Sequence, residues 1–308
     1  MRIVSLLPSA TEIAGALGLR EQLVGRSHEC DYPAGVDALP VLTASILAHG
    51  LTPKQIDQAV HEAQLEGRPI YTVDAAALAA LKPDLILTQG VCSVCAVTPE
   101  TFADDLRMSP LAAEVETPIL SLGATDFEGV LADIETVAVA AGIDARGREL
   151  SESLRTRWAA LSKASAGGPR PSVFFLEWPD PPWYAGHWVP EQIDAAGGRD
   201  CFAQPGATSR PLPWEEIAAA DPDAIVVGAC GCDLATNFGY AEQLGAHPVA
   251  GKLRALESGR CWAVDANSYF SRPGPRLVEG AELIATLLRG ELDPGSPMAT
   301  ALGARSSS

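Results

Sequence analysis

Short apolar runs alternate along this chain with segments whose apolar residues recur every three or four positions. The short runs are typical of buried strands, and the periodic segments are typical of amphipathic helices. The strands predicted in the first half are Arg2–Leu7, Leu23–Ser27, Asp84–Gln89 and Pro118–Leu122. Those predicted in the second half are Ser172–Trp178, Ala224–Ala229 and Cys261–Val264. This alternation predicts an α/β fold with mostly parallel sheets.

Helical periodicity fills the intervals between the strands. The predicted helices are Ser9–Leu17, Asp126–Ala141, Val189–Ala196, Trp214–Ala220 and Pro275–Arg289. A long amphipathic helix at 145–163 has no strand attached to it, and we interpret it as the single connection between two lobes. The predicted organisation is an N-terminal lobe at 1–142, the connecting helix at 143–168, a C-terminal lobe at 169–292 and a disordered tail, rich in Pro, Gly, Ala and Ser, at 293–308.

A similar phrase occurs once in each half of the chain. It reads Leu81-Lys82-Pro83-Asp84-Leu85-Ile86 in the first half and Ala220-Asp221-Pro222-Asp223-Ala224-Ile225 in the second. Because proline cannot continue a helix, each phrase predicts a helix end followed by a buried strand. The repetition indicates two lobes of similar construction.

Length and charge limit the kinds of partner. A chain of 308 residues suits two domains of ordinary size. Its formal net charge of -17 repels phosphate backbones and anionic lipid, so neither nucleic acid nor membrane insertion is expected. No apolar run is long enough for a bilayer, and the sequence after Met1 lacks the features of a secretory signal. If Met1 is the native start, a cytoplasmic protein is expected; a trimmed start would instead imply the periplasm.

Aromatic, histidine, glutamate and arginine residues follow several predicted strands. In open parallel sheets, ligands bind beside the carboxyl ends of the strands. The candidate ligand-binding residues are Glu29, Tyr32, Trp183, Tyr184, His187, Trp188, Tyr269, Phe270 and Arg272. Aromatic rings suit a flat apolar ligand, and the arginine suits an anionic side group. Packing between the lobes and a salt bridge of Arg272 are the alternatives. The pattern predicts a ligand cleft between the two lobes.

A possible metal site lies in the first lobe. The chain has seven cysteines, and Cys92 and Cys95 have the C-x-x-C spacing that can hold zinc or iron or form a redox couple. His28 and Cys30 follow a neighbouring strand and could complete the set of ligands. The alternative is that these cysteines are small packed residues. No phosphate-binding glycine motif and no G-x-S-x-G elbow occurs.

The order of several segments resembles the cobalamin-binding branch of the substrate-binding proteins for cobalamin, haem and siderophores. The segments are Ile3–Ala16, Leu23–Pro33, Leu81–Leu87, Pro181–Gly186 with Gly197-Gly198, Pro213–Glu215 and Tyr269–Arg276. The resemblance implies a corrinoid ligand in contact with Tyr32, Trp183, Tyr269 and Phe270. It also implies a docking glutamate for an ABC permease on each lobe. Glu215 falls at the second of these places, whereas Ala76, with Asp74 nearby, falls at the first, after an inserted helical stretch at Thr52–Leu65.

Two functions therefore compete. The first is a monomeric binding protein for a cobalamin-like corrinoid or related metal chelate, without catalysis and with a link to ABC-type uptake through Glu215. The second is a cytosolic metal-dependent or thiol enzyme, or a metal-binding protein, that uses the His28, Cys30, Cys92 and Cys95 cluster on the same fold.

Overall fold

The computed structural model describes residues 1–48, 50–89 and 117–303. The chain forms two compact units. Unit 1 comprises Met1–Ala124 and Glu128–Ser153, and unit 2 comprises Thr125–Phe127 and Leu154–Ser308. A helix at Asp144–Ser165 runs through the division between Ser153 and Leu154. The expectation of an α/β chain in two parts is confirmed.

Unit 1 is built around a four-stranded sheet with the order β2-β1-β5-β6, and all three pairings are parallel. The strands of this unit are β1 (Ile3–Ser5), β2 (Leu23–Arg26), β3 (Thr43–Ser45), β4 (Tyr71–Val73), β5 (Leu85–Gln89) and β6 (Ile119–Leu122). The four predicted strands of the first half are all present. Strands β3 and β4, which pair with each other in antiparallel fashion, are too short to be detected from periodicity.

The helices with residues in unit 1 are α1 (Pro8–Ala16), α2 (Pro53–Leu65), α3 (Ala75–Leu81), α4 (Phe127–Ala140) and α5 (Asp144–Ser165). The first residue of α4 and the second half of α5 belong to unit 2. The inserted stretch expected at 52–65 is helix α2. Its start is set by a capping box, in which Thr52 Oγ1 accepts from Gln55 N at 3.4 Å and Gln55 Oε1 accepts from Thr52 N at 2.9 Å.

Unit 2 contains a mixed sheet with the order β10-β8-β7-β11-β12-β13, and β9 also pairs with β7. Its strands are β7 (Ser172–Pro179), β8 (Pro182–Tyr184), β9 (Arg199–Asp200), β10 (Arg210–Pro211), β11 (Ala224–Val227), β12 (Cys261–Val264) and β13 (Ala299–Ala301). The central strands β7, β11 and β12 are parallel. All residues of β11 and β12 are buried, which explains why their sequences are continuously apolar.

The helices of unit 2 cover this sheet. They are α6 (Val189–Ala195), α7 (Trp214–Ala220), α8 (Leu234–Ala246), α9 (Arg254–Glu257), α10 (Ala266–Tyr269) and α11 (Leu277–Arg289). A core cluster joins one face of the strands to these helices, with Phe174, Leu176, Ile225 and Val227 among its fully buried members. Helix α8 was not predicted, because its polar residues interrupt the apolar repeat.

The repeated phrase has the same geometry in both units. Lys82 and Asp221 end α3 and α7 in the left-handed conformation, with φ of 46° and 41°. The aspartate after each proline then binds the start of a neighbouring strand: Asp84 Oδ2 accepts from Arg2 N at 2.7 Å, and Asp223 Oδ2 accepts from Ser172 N at 2.8 Å. The prediction of two similar helix–proline–strand units is therefore confirmed.

The C-terminal segment corrects the expectation of a disordered tail. Residues 299–301 form β13, which pairs with β12, and Ala299 is buried. This strand could not be predicted from composition, because an edge strand of three residues is too short to show an apolar periodicity. Its hydrogen bonds come from the exposed edge of β12, which is distant in the sequence.

Candidate functional site

The predicted site residues of unit 2 follow the carboxyl ends of β7 and β12. Trp183 lies in β8, which returns antiparallel to β7, and its register partners are Trp178 and Pro211. The Trp183 side chain is half-buried, and among the described residues its Nε1 has no hydrogen-bond partner. The Trp183 ring is therefore partly accessible, whereas its Nε1 is buried, so the ring face is the part that could contact a ligand.

Tyr184, its neighbour in β8, points to the other face of the sheet, because successive side chains of a strand alternate. It packs against the core cluster of unit 2, and its ring lies 6.1 Å from that of Phe202. Tyr184 thus packs within unit 2, and its contact with a ligand stays a prediction.

Trp188 and Phe270 also pack within unit 2, and their contact with a ligand stays a prediction. They are 8% and 3% exposed. Trp188 Nε1 donates to the carbonyl oxygen of Phe270 at 2.6 Å, and the Phe270 ring lies 5.0 Å from that of Phe175. Both residues follow strands, as predicted, but they pack inside unit 2 and leave little surface exposed. The sequence does not distinguish a packed aromatic residue in a loop from an exposed one, because both follow a strand and have the same type of side chain.

His187 is held by its backbone. Its φ is 52°, its N–H donates to the carbonyl oxygen of Ala207 at 2.6 Å, and its own carbonyl accepts from Gly206 N at 2.9 Å. Gly186 is required beside it, because a Cβ there would collide with the backbone of Ala207 and Ser209. Burial lowers the pKa of the His187 imidazole from its ordinary value, so the ring is neutral and able to act as a ligand at neutral pH.

The loop after β12 supplies positive charge. Helix α10 starts at an Asp265 cap that accepts from Ser268 N at 3.1 Å. Arg272 is only 7% exposed, and its Nη2 donates to Asn267 Oδ1 at 2.9 Å. The Arg276 guanidinium lies over the Tyr269 ring at 5.5 Å. A cation–π contact thus links Arg276 to Tyr269, one of the predicted ligand-binding residues.

In unit 1, the residues after β2 form a polar network that sequence reasoning only partly identified. His28 Nδ1 lies 2.6 Å from Thr43 Oγ1, and the His28 ring is 5.5 Å from that of Tyr71. Tyr71 donates to Glu29 Oε1 at 3.3 Å. Thr43 and Tyr71 were missed because they lie on β3 and β4, whose approach to β2 no local pattern reveals.

Burial and two neighbouring charges shift the pKa of the His28 imidazole. Burial lowers its imidazole pKa most strongly, the carboxylate of Glu29 raises it, and the positive charge of Arg26 lowers it further. The net effect is a pKa below the ordinary value. The Glu29 side chain is 44% exposed, and Tyr32 further along the same loop is also 44% exposed.

The proposed metal ligands are only partly described. Cys30 is buried, and its Sγ lies 3.0 Å from Thr11 Oγ1, whereas His28 is bound to Thr43. Cys92 and Cys95 lie outside the described residues. Within the described ranges, no group of three or more His, Cys, Asp and Glu residues is arranged to hold a metal ion. The four-residue metal site stays a prediction.

The candidate docking residues are at the surface of their units. Glu215 is exposed in the first turn of α7. Asp74 is the exposed N-cap of α3 and accepts from Ala77 N at 2.9 Å, and Ala76 is exposed beside it. Among the described helices, none combines the length and apolar character needed to cross a bilayer.

In unit 2, aromatic, imidazole and guanidinium side chains follow parallel strands, at the end of the sheet where ligands bind in open parallel sheets. The chain belongs to the periplasmic binding protein family, whose model matches residues 3–267. This family consists of binding proteins, and the comparisons do not support the competing reading as a metal-dependent or thiol enzyme.

Two curated relatives match most of the chain. A cobalamin-binding protein of Halobacterium salinarum is 26% identical over 282 residues, which are 90% of this chain and 66% of that protein. The chain thus spans just under two thirds of that relative. A vitamin B12-binding protein of Vibrio cholerae is 23% identical over 291 residues, which are 94% of this chain and 89% of the relative.

A solved structure shows the same fold. The periplasmic haem-binding protein of Roseiflexus sp. RS-1 superposes with a TM-score of 0.69 at 26% identity, and the match covers 94% of this chain and 99% of that one. The proteins with which this chain shares its family and fold include periplasmic ones. The expectation of a cytoplasmic protein therefore has no support from them.

Proposed function

We propose that this protein binds a cobalamin-like corrinoid, or a closely related metal chelate, and presents it to an ABC permease. The observation that carries this proposal is the similarity to cobalamin-binding and vitamin B12-binding relatives over 90% and 94% of the chain. The fold supports it, because the half-buried Trp183 and the Tyr269–Arg276 pair both follow carboxyl ends of strands in unit 2.

The chemistry of these residues suits such a ligand. A corrinoid is a broad, largely apolar ring with polar side groups, and an indole face provides apolar contact area. Arg276, whose guanidinium lies over the Tyr269 ring, is the candidate donor for oxygen atoms at the rim of the ring, and the 7% exposed Arg272 lies in the same loop. Tyr32, which is exposed after β2, is the corresponding candidate in unit 1.

An absorbance titration tests the proposal directly. Cobalamin is added to the purified protein, and the shift of its visible bands is followed together with the heat of binding. We expect saturation at one ligand per chain. Absence of a shift and of heat at micromolar protein would contradict the proposal.

Haem is the second candidate ligand, because the Roseiflexus structure with the same fold is a haem-binding protein. Neutral His187 offers an imidazole nitrogen that could bind iron. The same titration with haem separates the two candidates. Tighter binding of haem than of cobalamin, lost in His187→Ala, would favour haem.

We further propose that the protein works outside the cytoplasmic membrane and docks through Glu215. The resemblance implies a docking acid at this position, and the residue is exposed on the first turn of α7. Glu216 is its neighbour, is equally exposed, and provides a matched control. Glu215→Ala should reduce ligand uptake by cells without changing ligand affinity, and Glu216→Ala should reduce neither. Equal effects of both variants would remove Glu215 from docking.

A further inference from the structure

A cavity of about 930 Å³ lies in unit 2, at the edge of the sheet opposite to the candidate ligand site. Its lining includes Pro171, Asp223 and Arg260, which immediately precede β7, β11 and β12. These three strands are parallel, so their amino ends share one edge. Trp183 and Arg272 follow the carboxyl ends. The cavity is therefore a separate place from the site of the proposed function.

Four arginines line this cavity: Arg170, Arg254, Arg260 and Arg289. Such a concentration of positive charge is unexpected in a chain with a net charge of -17. We call this group the arginine cavity. Among the described residues that line it, Asp223 is the only carboxylate.

The Asp223 carboxylate already has hydrogen-bond and ion-pair partners. Its Oδ2 accepts from both the N–H and the hydroxyl of Ser172 at 2.8 Å, and its Oδ1 lies 3.1 Å from Arg254 Nη2. These hydrogen bonds, more than the nearby arginines, hold the pKa of Asp223 below its ordinary value. The carboxylate is therefore ionised and directed at Arg254 and the start of β7.

Neutral backbone groups position much of the positive charge. Arg170 Nε donates to the carbonyl oxygen of Gly198 at 3.2 Å. Arg260 Nε donates to that of Asp223 at 3.2 Å, and Arg260 Nη2 donates to that of Leu288 at 3.4 Å. Carbonyl oxygens orient a guanidinium without cancelling its charge. Arg260 has no carboxylate partner within the described part of the chain.

The remaining ion pairs are exposed and weak. Arg170 pairs with Asp194, Arg254 Nε lies 3.3 Å from Asp221 Oδ2, and Arg289 Nε lies 2.7 Å from Glu291 Oε2. Exposed pairs of this kind contribute little and are screened by salt. Within the described ranges, Nη1 of each of the four arginines has no hydrogen-bond partner. Four cationic donor groups thus remain available around one cavity.

We propose that the arginine cavity binds a small anion that carries phosphate groups. The planar guanidinium donates two parallel hydrogen bonds to phosphate oxygens, which makes arginine the residue best suited to this group. The cavity is large enough for more than one phosphate, and Gly167 and Gly168 on its wall have no side chains to fill it.

Calorimetry with inorganic pyrophosphate tests this proposal on the full chain. Arg289→Gln removes one of the four guanidinium groups that line the cavity. Arg68→Gln is the matched control, because Arg68 in unit 1 also pairs with a glutamate two positions away and is similarly exposed, at 54% against 47%. Loss of a hydrogen bond to a charged group should weaken binding about tenfold or more in Arg289→Gln. Arg68→Gln should bind as the original protein does.

A second variant keeps the charge and changes the geometry. Arg260→Lys should also bind pyrophosphate more weakly, because an ammonium group lacks the guanidinium fork. Far-ultraviolet circular dichroism of both variants checks that they remain folded. Binding to vesicles with and without anionic phospholipid then distinguishes a lipid headgroup from a free phosphate. Vesicle binding that depends on Arg289 would identify the headgroup as the source of the same chemistry.

Several outcomes would overturn the proposal. One is the absence of binding to pyrophosphate and to anionic vesicles at low salt. Another is equal weakening in Arg68→Gln and Arg289→Gln, because that would show a general charge effect. A third is unchanged affinity in folded Arg289→Gln and Arg260→Lys. None of these results depends on cobalamin or haem, so the proposed function can stand or fall independently.

Discussion

Trp188 Nε1 donates to the carbonyl oxygen of Phe270 across 82 residues of sequence, at a distance of 2.6 Å. The bond joins the segment after β8 to the end of α10, and both side chains are buried. Gln192 in α6 reinforces this connection, because its Nε2 donates to the carbonyl oxygens of Tyr269 and Leu277. The loops that hold His187 and Arg272 are thus fixed to each other inside unit 2.

Phe270→Ala should therefore act mainly on stability. Removal of a buried phenylalanine ring costs about 3–5 kcal/mol. We expect a lower free energy of unfolding, measured with urea and fluorescence, and a lower melting temperature. Trp188→Phe, which keeps an aromatic ring but loses the 2.6 Å bond, should cost about 1–3 kcal/mol because it leaves a buried carbonyl without its donor. Unchanged stability in both variants would refute this account of the two residues.

Trp183→Ala should act mainly on ligand affinity. The ring is half-buried, and its loss should weaken cobalamin binding by about 1–3 kcal/mol, the scale of one aromatic contact. Trp183→Phe should retain most of the affinity, because a ring remains and the unliganded protein makes no hydrogen bond through Nε1 among the described residues. Calorimetric titration measures both variants. Equal affinity of the alanine variant and the original protein would exclude Trp183 from the site.

The strands at the centre of both sheets could be predicted from the sequence, because buried parallel strands are continuously apolar and end at recognisable turns. The repeated phrase also predicted that a helix end leads into a strand in both units, at Lys82-Pro83-Asp84 and at Asp221-Pro222-Asp223. What could not be predicted were contacts between distant segments. Thr43 and Tyr71 approach His28 only through the β3–β4 pair, and nothing in the sequence near His28 indicates that pair.

The aromatic residues of unit 2 show the same limit. Four aromatic residues follow strands, and the sequence alone does not distinguish their roles: Trp183, Tyr184, Trp188 and Phe270. Strand alternation separates Trp183 from Tyr184, and the bond between Trp188 and Phe270 places those two in the interior. Sorting ligand contacts from packing residues required the register of β8 and a hydrogen bond between segments 82 residues apart.

The repeated aspartates should contribute unequally. Asp84 accepts from Arg2 N, whereas Asp223 accepts from two groups of Ser172 and pairs with Arg254. Asp223→Ala should therefore destabilise the protein more than Asp84→Ala, by about 1–2 kcal/mol, which is the scale of one to two additional hydrogen bonds. Thermal unfolding followed by circular dichroism compares them. A larger loss in Asp84→Ala would contradict the order.

Asp200 should make stability depend on pH in weakly acidic solution. Burial is the largest influence on its carboxyl group and raises the pKa to about 6, although the N–H groups of Phe202 and Ala203 donate to Oδ1 at 2.8 and 2.7 Å and oppose the increase. The folded state therefore holds the proton more tightly than the unfolded state, whose pKa is about 3.9. The resulting stability is fully present below the unfolded value. It is lost as the pH rises through about 6.

Asp200→Asn isolates this contribution, because the amide oxygen can still accept both hydrogen bonds and carries no charge. The variant should gain stability relative to the original protein as the pH rises from about 4 to about 7, by an amount on the order of 2 kcal/mol. Urea unfolding across this pH range measures the difference. If the two proteins show parallel pH profiles, the hydrogen bonds from Phe202 and Ala203 outweigh burial, and the carboxyl group is ionised throughout.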